Sequence, residues 1–270
     1  MKLVFLGTGA TAPSRDRFLP GILLCSVKEC MLLDCGEGTQ IQLLKAGIDL
    51  VKIRCVVITH LHGDHFYGIY PLIDSFVMRV KTQGLRDKSL AIYAPRGFCS
   101  TFNSAYFSDI VKCFEFSKSS STGNEFVEVG EFKFTWLPMS HGDVEAYGIF
   151  VVIKNRDREI KLFYSGDGVC RDECVEFLKT VKPCIIIHES SFLDYKDDAK
   201  KAMERFHATT AEAANLAKNV NAKILVLTHI SSRYRDDDLK DFISRAKRIF
   251  NGDVYIASDL SLIQLDRVLC

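Results

Sequence analysis

The segment Thr59-His60-Leu61-His62-Gly63-Asp64-His65 packs three imidazoles and a carboxylate into six residues. It grows out of residues 53–59, an apolar, β-branched run (Ile53, Val56, Val57, Ile58) that reads as a buried strand ending in a loop. Four ligand-type side chains at the end of such a strand are costly in a core unless something charged holds them. On extended backbone His60 and His62 project to one side, whereas Asp64 and His65 fall on the turn into the next helix. One tetrahedral ion cannot take all four, so the cluster reads as parts of two neighbouring sites. The competing reading, a polar loop with surface histidines, rarely produces N and O ligands bunched this way.

The other four of the seven histidines are His141, His188, His207 and His229. His141 closes the apolar run 132–140, His188 follows 184–187 and His229 closes 222–228. Asp167 follows 160–165 inside Ser165-Gly166-Asp167-Gly168. Strand ends along one edge of a layered fold bring residues distant in sequence to one place. A lone histidine there is usually structural, but this many beside the first cluster point to a shared site.

Around these anchors the pattern predicts strands near residues 2–6, 21–27, 30–34, 55–59 and 90–94, with helices near 39–46 and 66–80. A similar second half has strands near 125–129, 132–137, 147–154, 161–165, 183–189, 223–228 and 254–257, and helices near 171–180, 210–219 and 237–250. Thr209 and Glu212 make a capping box for the middle of these helices. Helices outside two facing sheets give an α/β fold, a four-layer αβ/βα sandwich, expected to be one domain over residues 1–270, with residues 117–124 a flexible connector. An apolar content of 47% supports an ample core, and a net charge of +1 demands no nucleic-acid partner. No apolar run is long enough to span a membrane. The ten cysteines form no C-x-x-C pair, and Cys170 and Cys174 read as buried free thiols. Free thiols and the lack of an export signal predict a reducing cytoplasm.

In type and order, His60-x-His62-x-Asp64-His65, His141, Asp167 and His229 resemble the two-zinc hydrolases of the metallo-β-lactamase superfamily. The resemblance extends to its ribonuclease Z branch, the tRNA 3′-processing endonucleases. Leu6-Gly7-Thr8-Gly9-Ala10, Leu33-Asp34-Cys35-Gly36-Glu37-Gly38-Thr39, His188-Glu189-Ser190-Ser191, His207-Ala208-Thr209, Leu227-Thr228-His229-Ile230-Ser231-Ser232-Arg233-Tyr234 and Ala257-Ser258-Asp259-Leu260 are similar to that branch's motifs. The resemblance implies a metallo-β-lactamase-type fold and two zinc ions per chain. One would be held by His60, His62 and His141, the other by Asp64, His65 and His229, with Asp167 bridging. Two such ions lower the pKa of a shared water and neutralise a phosphodiester's charge. Asp64 would be catalytic as well as a ligand, and His207, kept protonated by Glu189, would deliver a proton to the leaving 3′ oxygen. Arg15, Arg17 and Arg233 are the expected substrate contacts, since guanidinium groups suit phosphates. Asp34 and Asp259 either orient metal-bound imidazoles or simply cap turns. The expected partner is precursor tRNA, and the expected assembly a homodimer.

Two departures weigh on the substrate. Only 26 residues separate His141 from Asp167, where the branch carries a long tRNA-binding arm, and predicted strands fill most of them. The N-terminal substrate loop reads Pro13-Ser14-Arg15-Asp16-Arg17 and then Phe18 in place of the branch's asparagine. Three functions therefore stand: endonucleolytic removal of the 3′ trailer from precursor tRNA, hydrolysis of small cyclic or linear phosphodiesters, and a non-catalytic RNA-binding subunit. The intact seven-ligand set argues against the last.

Overall fold

The structure, a computed structural model, describes residues 1–101, 109–117, 125–155 and 158–268. The first half of the chain runs β1 (Lys2–Gly7), β2 (Gly21–Cys25), β3 (Cys30–Leu33), α1 (Thr39–Lys45), β4 (Ile53–Val57), α2 (Gly63–Phe66), α3 (Ile69–Thr82), β5 (Leu90–Ala94), α4 (Phe98–Thr101) and β6 (Val111–Glu115). The second continues with β7 (Val127–Val129), β8 (Phe132–Ser140), β9 (Tyr147–Asn155), β10 (Arg158–Tyr164), β11 (Val169–Cys170) and α5 (Asp172–Val181). It closes with β12 (Ile185–Glu189), α6 (Lys196–Glu204), α7 (Thr210–Asn219), β13 (Ile224–Thr228), α8 (Leu239–Ile249), β14 (Asp253–Ile256) and β15 (Leu262–Gln264).

These strands make two sheets, β15-β1-β2-β3-β4-β5-β6 and β11-β8-β9-β10-β12-β13-β14, with β7 added beside β8. Alternation along β1 shows how the layers arise. Leu3 and Phe5 enter a core shared by both sheets, where they join Trp136, Ile149, Leu162 and Val226. Val4 and Leu6 point the other way, into a second core under α3 with Leu72 and Phe76. A third core backs the other sheet with Leu178 of α5, Ala213 of α7 and Phe242 of α8. The result is helix, sheet, sheet, helix, as the sequence predicts. Strands β12 and β13 are buried along their whole length because both faces are covered, which is why they read as unbroken apolar runs.

Parallel pairing of β3-β4-β5-β6 and of β10-β12-β13-β14 aligns the carboxyl ends of these strands. Asp34 follows β3, His60 follows β4, Asp167 follows β10, Glu189 ends β12 and His229 follows β13. The helix expected near 66–80 is split in two at Gly68, whose amide donates to the carbonyl of Cys35 at 2.9 Å. A Cβ there would stand 2.0 Å from the carbonyl oxygen of Gly36. The Thr209–Glu212 capping box is present at the start of α7. Strands β6, β11 and β15 and helices α4 and α6 extend the predicted set. The β9–β10 hairpin pairs Asn155 with Arg158, so two residues join the strands and no arm fits between His141 and Asp167. The predicted connector at 117–124 lies, apart from Ser117, outside the described residues.

The cysteines require a correction. Disulfides join Cys25 to Cys30 and Cys99 to Cys113, so free thiols no longer argue for a reducing compartment. The first pair faces across the β2–β3 ladder and the second ties α4 to the edge strand β6, placements that spacing alone does not reveal. Cys170 and Cys174 do remain free, with sulfurs 3.1 Å apart. Among the described residues no helix is long and apolar enough to cross a membrane.

Candidate metal centre

The seven expected ligands converge on one point between the ends of the two sheets. His60, His62, His141 and Asp167 offer ligand atoms all within 4.8 Å of one another, and Asp64, His65, Asp167 and His229 do the same. Asp167 belongs to both groups. Its Oδ1 lies 3.3 Å from both His65 Nε2 and His229 Nε2. Its Oδ2 faces His60 Nε2 at 3.8 Å and His141 Nε2 at 4.0 Å. The carboxylate thus presents one oxygen to each group.

Outer hydrogen bonds fix which ring nitrogen turns inward. His65 Nδ1 donates to Asp34 Oδ2 at 2.7 Å, and His141 Nδ1 to the carbonyl of Phe206 at 2.7 Å. The hydroxyls of Thr59 and Ser191 already donate to carboxylates, of Asp34 and Glu189 respectively, so they accept from His60 Nδ1 at 3.1 Å and His229 Nδ1 at 2.8 Å. All four rings therefore hold an Nδ1–H outward and turn Nε2 towards the centre, the orientation that metal-binding histidines need. Five buried polar atoms at that centre have no hydrogen-bond partner: His60 Nε2, Asp64 Oδ2, His65 Nε2, Asp167 Oδ1 and His229 Nε2. Orphaned atoms of this kind are expensive unless they bind a cation, so the donor set fits divalent metal.

Charge inside the cluster is strongly coupled. Burial opposes ionisation of Asp167, yet His229 and His65 hold its carboxyl well below the usual range. Burial likewise works against a charged His65, but Asp167 and Asp34 raise it well above the ordinary histidine value. A divalent cation held here would take the place of that proton.

Asp34 does bond a candidate ligand: it accepts from His65 Nδ1 and also from the Thr59 amide at 2.8 Å and the Tyr164 hydroxyl at 2.8 Å. Asp259 follows the turn-capping alternative. It accepts from the Thr8 hydroxyl and the Phe18 amide, both at 2.7 Å, and touches no ligand histidine. Glu189 and His207 stand together beside the cluster, His207 Nδ1 lying 3.0 Å from Glu189 Oε1. Burial lowers His207, but the Glu189 carboxylate outweighs it and lifts the imidazolium to about 9. His188 of the same motif is turned away, its Nδ1 bonded to the Glu189 carbonyl at 2.8 Å.

Of the three arginines, Arg233 lies over the Phe192 ring at 4.3 Å, and Phe192 lines a cavity of about 350 Å³ together with His207 and Arg205. Arg15 is exposed. Arg17 is turned inward, donating to the Thr8 hydroxyl at 2.6 Å and the Ala257 carbonyl at 2.7 Å. Sequence reasoning passed over Phe206, Ser191, Thr59 and Tyr164. Only contacts reveal them, because none is a ligand-type residue and Phe206 acts through its backbone.

A family model described as "Anti-Pycsar protein Apyc1" matches residues 1–249. The ribonuclease Z of Listeria innocua is 32% identical, with 98% of this chain and 99% of that protein covered. That alignment runs over 316 residues against a chain of 270, so the relative carries segments this chain lacks. Among solved structures, the short form of human tRNase Z is 27% identical, with 98% of this chain and 99% of that one covered and a TM-score of 0.77. The metallo-β-lactamase-fold protein YhfI of Bacillus subtilis, at 22% identity, covers 97% of this chain and 98% of its own with a TM-score of 0.79, and shows the same fold. The chain therefore belongs to the Anti-Pycsar protein Apyc1 family and to the ribonuclease Z-like hydrolases built on the metallo-β-lactamase fold.

Proposed function

We propose that this protein is a zinc-dependent phosphodiesterase of the ribonuclease Z type, with two ions per chain, that removes the 3′ trailer from precursor tRNA. The observation that carries the reading is the Glu189–His207 pair at 3.0 Å beside the ligand cluster. A site built only to hold metal has no use for an imidazolium supported by a carboxylate at its edge. Bound there, a pair of divalent ions supplies an attacking water of lowered pKa and offsets charge on the phosphoryl group. His60, His62, His141 and Asp167 would hold one ion, and Asp64, His65, Asp167 and His229 the other. Asp64 also orients the attacking water. His207 gives its proton to the leaving 3′ oxygen, which as an alkoxide would leave poorly, and Glu189 keeps that proton in place until it is needed. Glu189 further binds the Ser191 hydroxyl that orients His229, so one carboxylate steadies both the acid and a ligand. Arg15 and Arg233 supply phosphate contacts, and Arg17 braces the loop that presents Arg15.

A homodimer that shares basic residues across the two active sites would compensate for the missing arm. A precursor-tRNA substrate would put the enzyme in the cytoplasm. The two-residue β9–β10 connection and the relatives' additional segments favour a second reading, hydrolysis of small cyclic or linear phosphodiesters. Zinc-loaded protein incubated with end-labelled precursor tRNA, beside bis-p-nitrophenyl phosphate, separates the two. Release of an intact trailer supports the first. Cleavage of the small ester with the precursor untouched replaces it by the second.

A further inference from the structure

Phe206 is more than half exposed at 54%, although it is a large apolar residue beside a polar centre. Its backbone sits at φ 57°, a left-handed conformation that a side chain as bulky as phenylalanine rarely adopts. Helix α6 ends at Glu204, and this turn presents the Phe206 carbonyl to His141 Nδ1. A carbonyl needs no particular side chain, so glycine would serve that purpose with less strain. The ring therefore calls for its own explanation. It rests on Gly142, where a Cβ would come within 2.8 Å of Phe206 Cδ2. It also lines a cavity of about 460 Å³ whose walls include the ligands His62, Asp64 and His141. Arg205 borders this cavity as well as the smaller one beyond His207, and makes no ion pair among the described residues.

Two cavities thus meet at His207, and a phosphodiester has two substituents to place. A product that keeps the phosphate would stay with the candidate metal ligands, which would put its nucleoside in the larger cavity. The leaving nucleoside would then fall on the side of Phe192 and Arg233. We infer that Phe206 is a specificity-determining residue whose ring stacks on the base of the nucleotide that retains the 5′-phosphate, with Arg205 facing that nucleotide's charge. A flat apolar ring, supported from one side by a glycine and beside a free guanidinium, matches a nucleotide's combination of π-face and anion. The inference rests on the phosphodiesterase reading above.

The test uses zinc-loaded protein and two esters that share a p-nitrophenolate leaving group: thymidine 5′-(p-nitrophenyl phosphate) and methyl p-nitrophenyl phosphate, which has no base. Phe206→Gly removes the ring while suiting the left-handed backbone and keeping the carbonyl for His141. The wild type is expected to prefer the nucleotide ester through KM, and Phe206→Gly to lose roughly tenfold of that preference, the scale of one stacked base. Phe206→Tyr should restore it. Thymidine 5′-monophosphate should inhibit Phe206→Gly roughly tenfold more weakly. An undiminished preference and inhibition constant in Phe206→Gly would overturn the assignment. If the wild type hydrolyses neither ester, the phosphodiesterase reading fails first and takes this one with it.

Discussion

Replacing Asp34 by asparagine tests whether the centre depends on its outer hydrogen bonds. Asp34 is fully buried, and its φ of 57° is one that asparagine also tolerates, so the backbone need not move. Its oxygens accept the Thr59 amide, the Thr59 hydroxyl, His65 Nδ1 and the Tyr164 hydroxyl. An amide has one oxygen, and the Thr59 amide, which can only donate, will claim it. The new NH2 then faces His65 Nδ1. To avoid opposing two donors the imidazole must move its proton to Nε2, and that nitrogen can no longer bind metal. Losing such an orienting carboxylate costs roughly 10- to 100-fold in metal affinity, or about 1.4 to 2.7 kcal/mol. Competition against a chromophoric chelator, with Tm of the chelated protein as the control for folding, measures it. Asp34→Asn that keeps its fold and binds zinc as tightly as the wild type would refute the argument that Asp34 sets the His65 tautomer.

His207→Ala should slow RNA cleavage by roughly 10²- to 10⁴-fold yet barely alter bis-p-nitrophenyl phosphate turnover, since nitrophenolate leaves without a proton; equal losses on both would remove the leaving-group role. Because Glu189 raises His207 to about 9, the proton is available below that pH and lost as pH rises through it. Divalent cations pull the value down, so the alkaline limb of kcat on RNA should lie below pH 9 in loaded enzyme and shift further down in Glu189→Gln, as a pH–rate profile would show. Cys99→Ser opens a disulfide of sequence separation 14, and chain-entropy reasoning puts the lost stability at about 3 kcal/mol. A denaturant midpoint that stays in place would count against that bond as a stabilising staple.

The candidate ligands were legible because each is a residue type that a core tolerates poorly, placed at or shortly beyond the end of an apolar run. The sandwich was legible for a related reason: strands such as β12 and β13 are apolar on both faces and can only be interior. What escaped depends on three-dimensional neighbours. Helix α6 reads Lys-Asp-Asp-Ala-Lys-Lys-Ala-Met-Glu, with no apolar stripe to give a helical period. Asp34 and Asp259 both follow strands and look alike in sequence, but only Asp34 faces a ligand imidazole. The Cys25–Cys30 pairing follows from ladder register, and the value of Phe206 from a backbone angle, neither of which residue type encodes.

The division of ligands between the two sheets has a mechanical consequence. His60 and His62 are carried by the loop after β4 in one sheet and Asp64 and His65 by α2, which follows that loop, while His141, Asp167 and His229 hang from β8, β10 and β13 in the other. Filling the centre therefore rivets the two halves of the sandwich at one rim, closing a loop that runs from His60 to His229, and binding energy becomes cohesion between sheets. Stripped of metal, that rim holds converging imidazoles and carboxylates with unpaired inward atoms, while the opposite end keeps its apolar packing. The apo protein should thus gape from the catalytic rim inward, and amide exchange should quicken first in the loops after β4, β10 and β13 while the strands beneath stay protected.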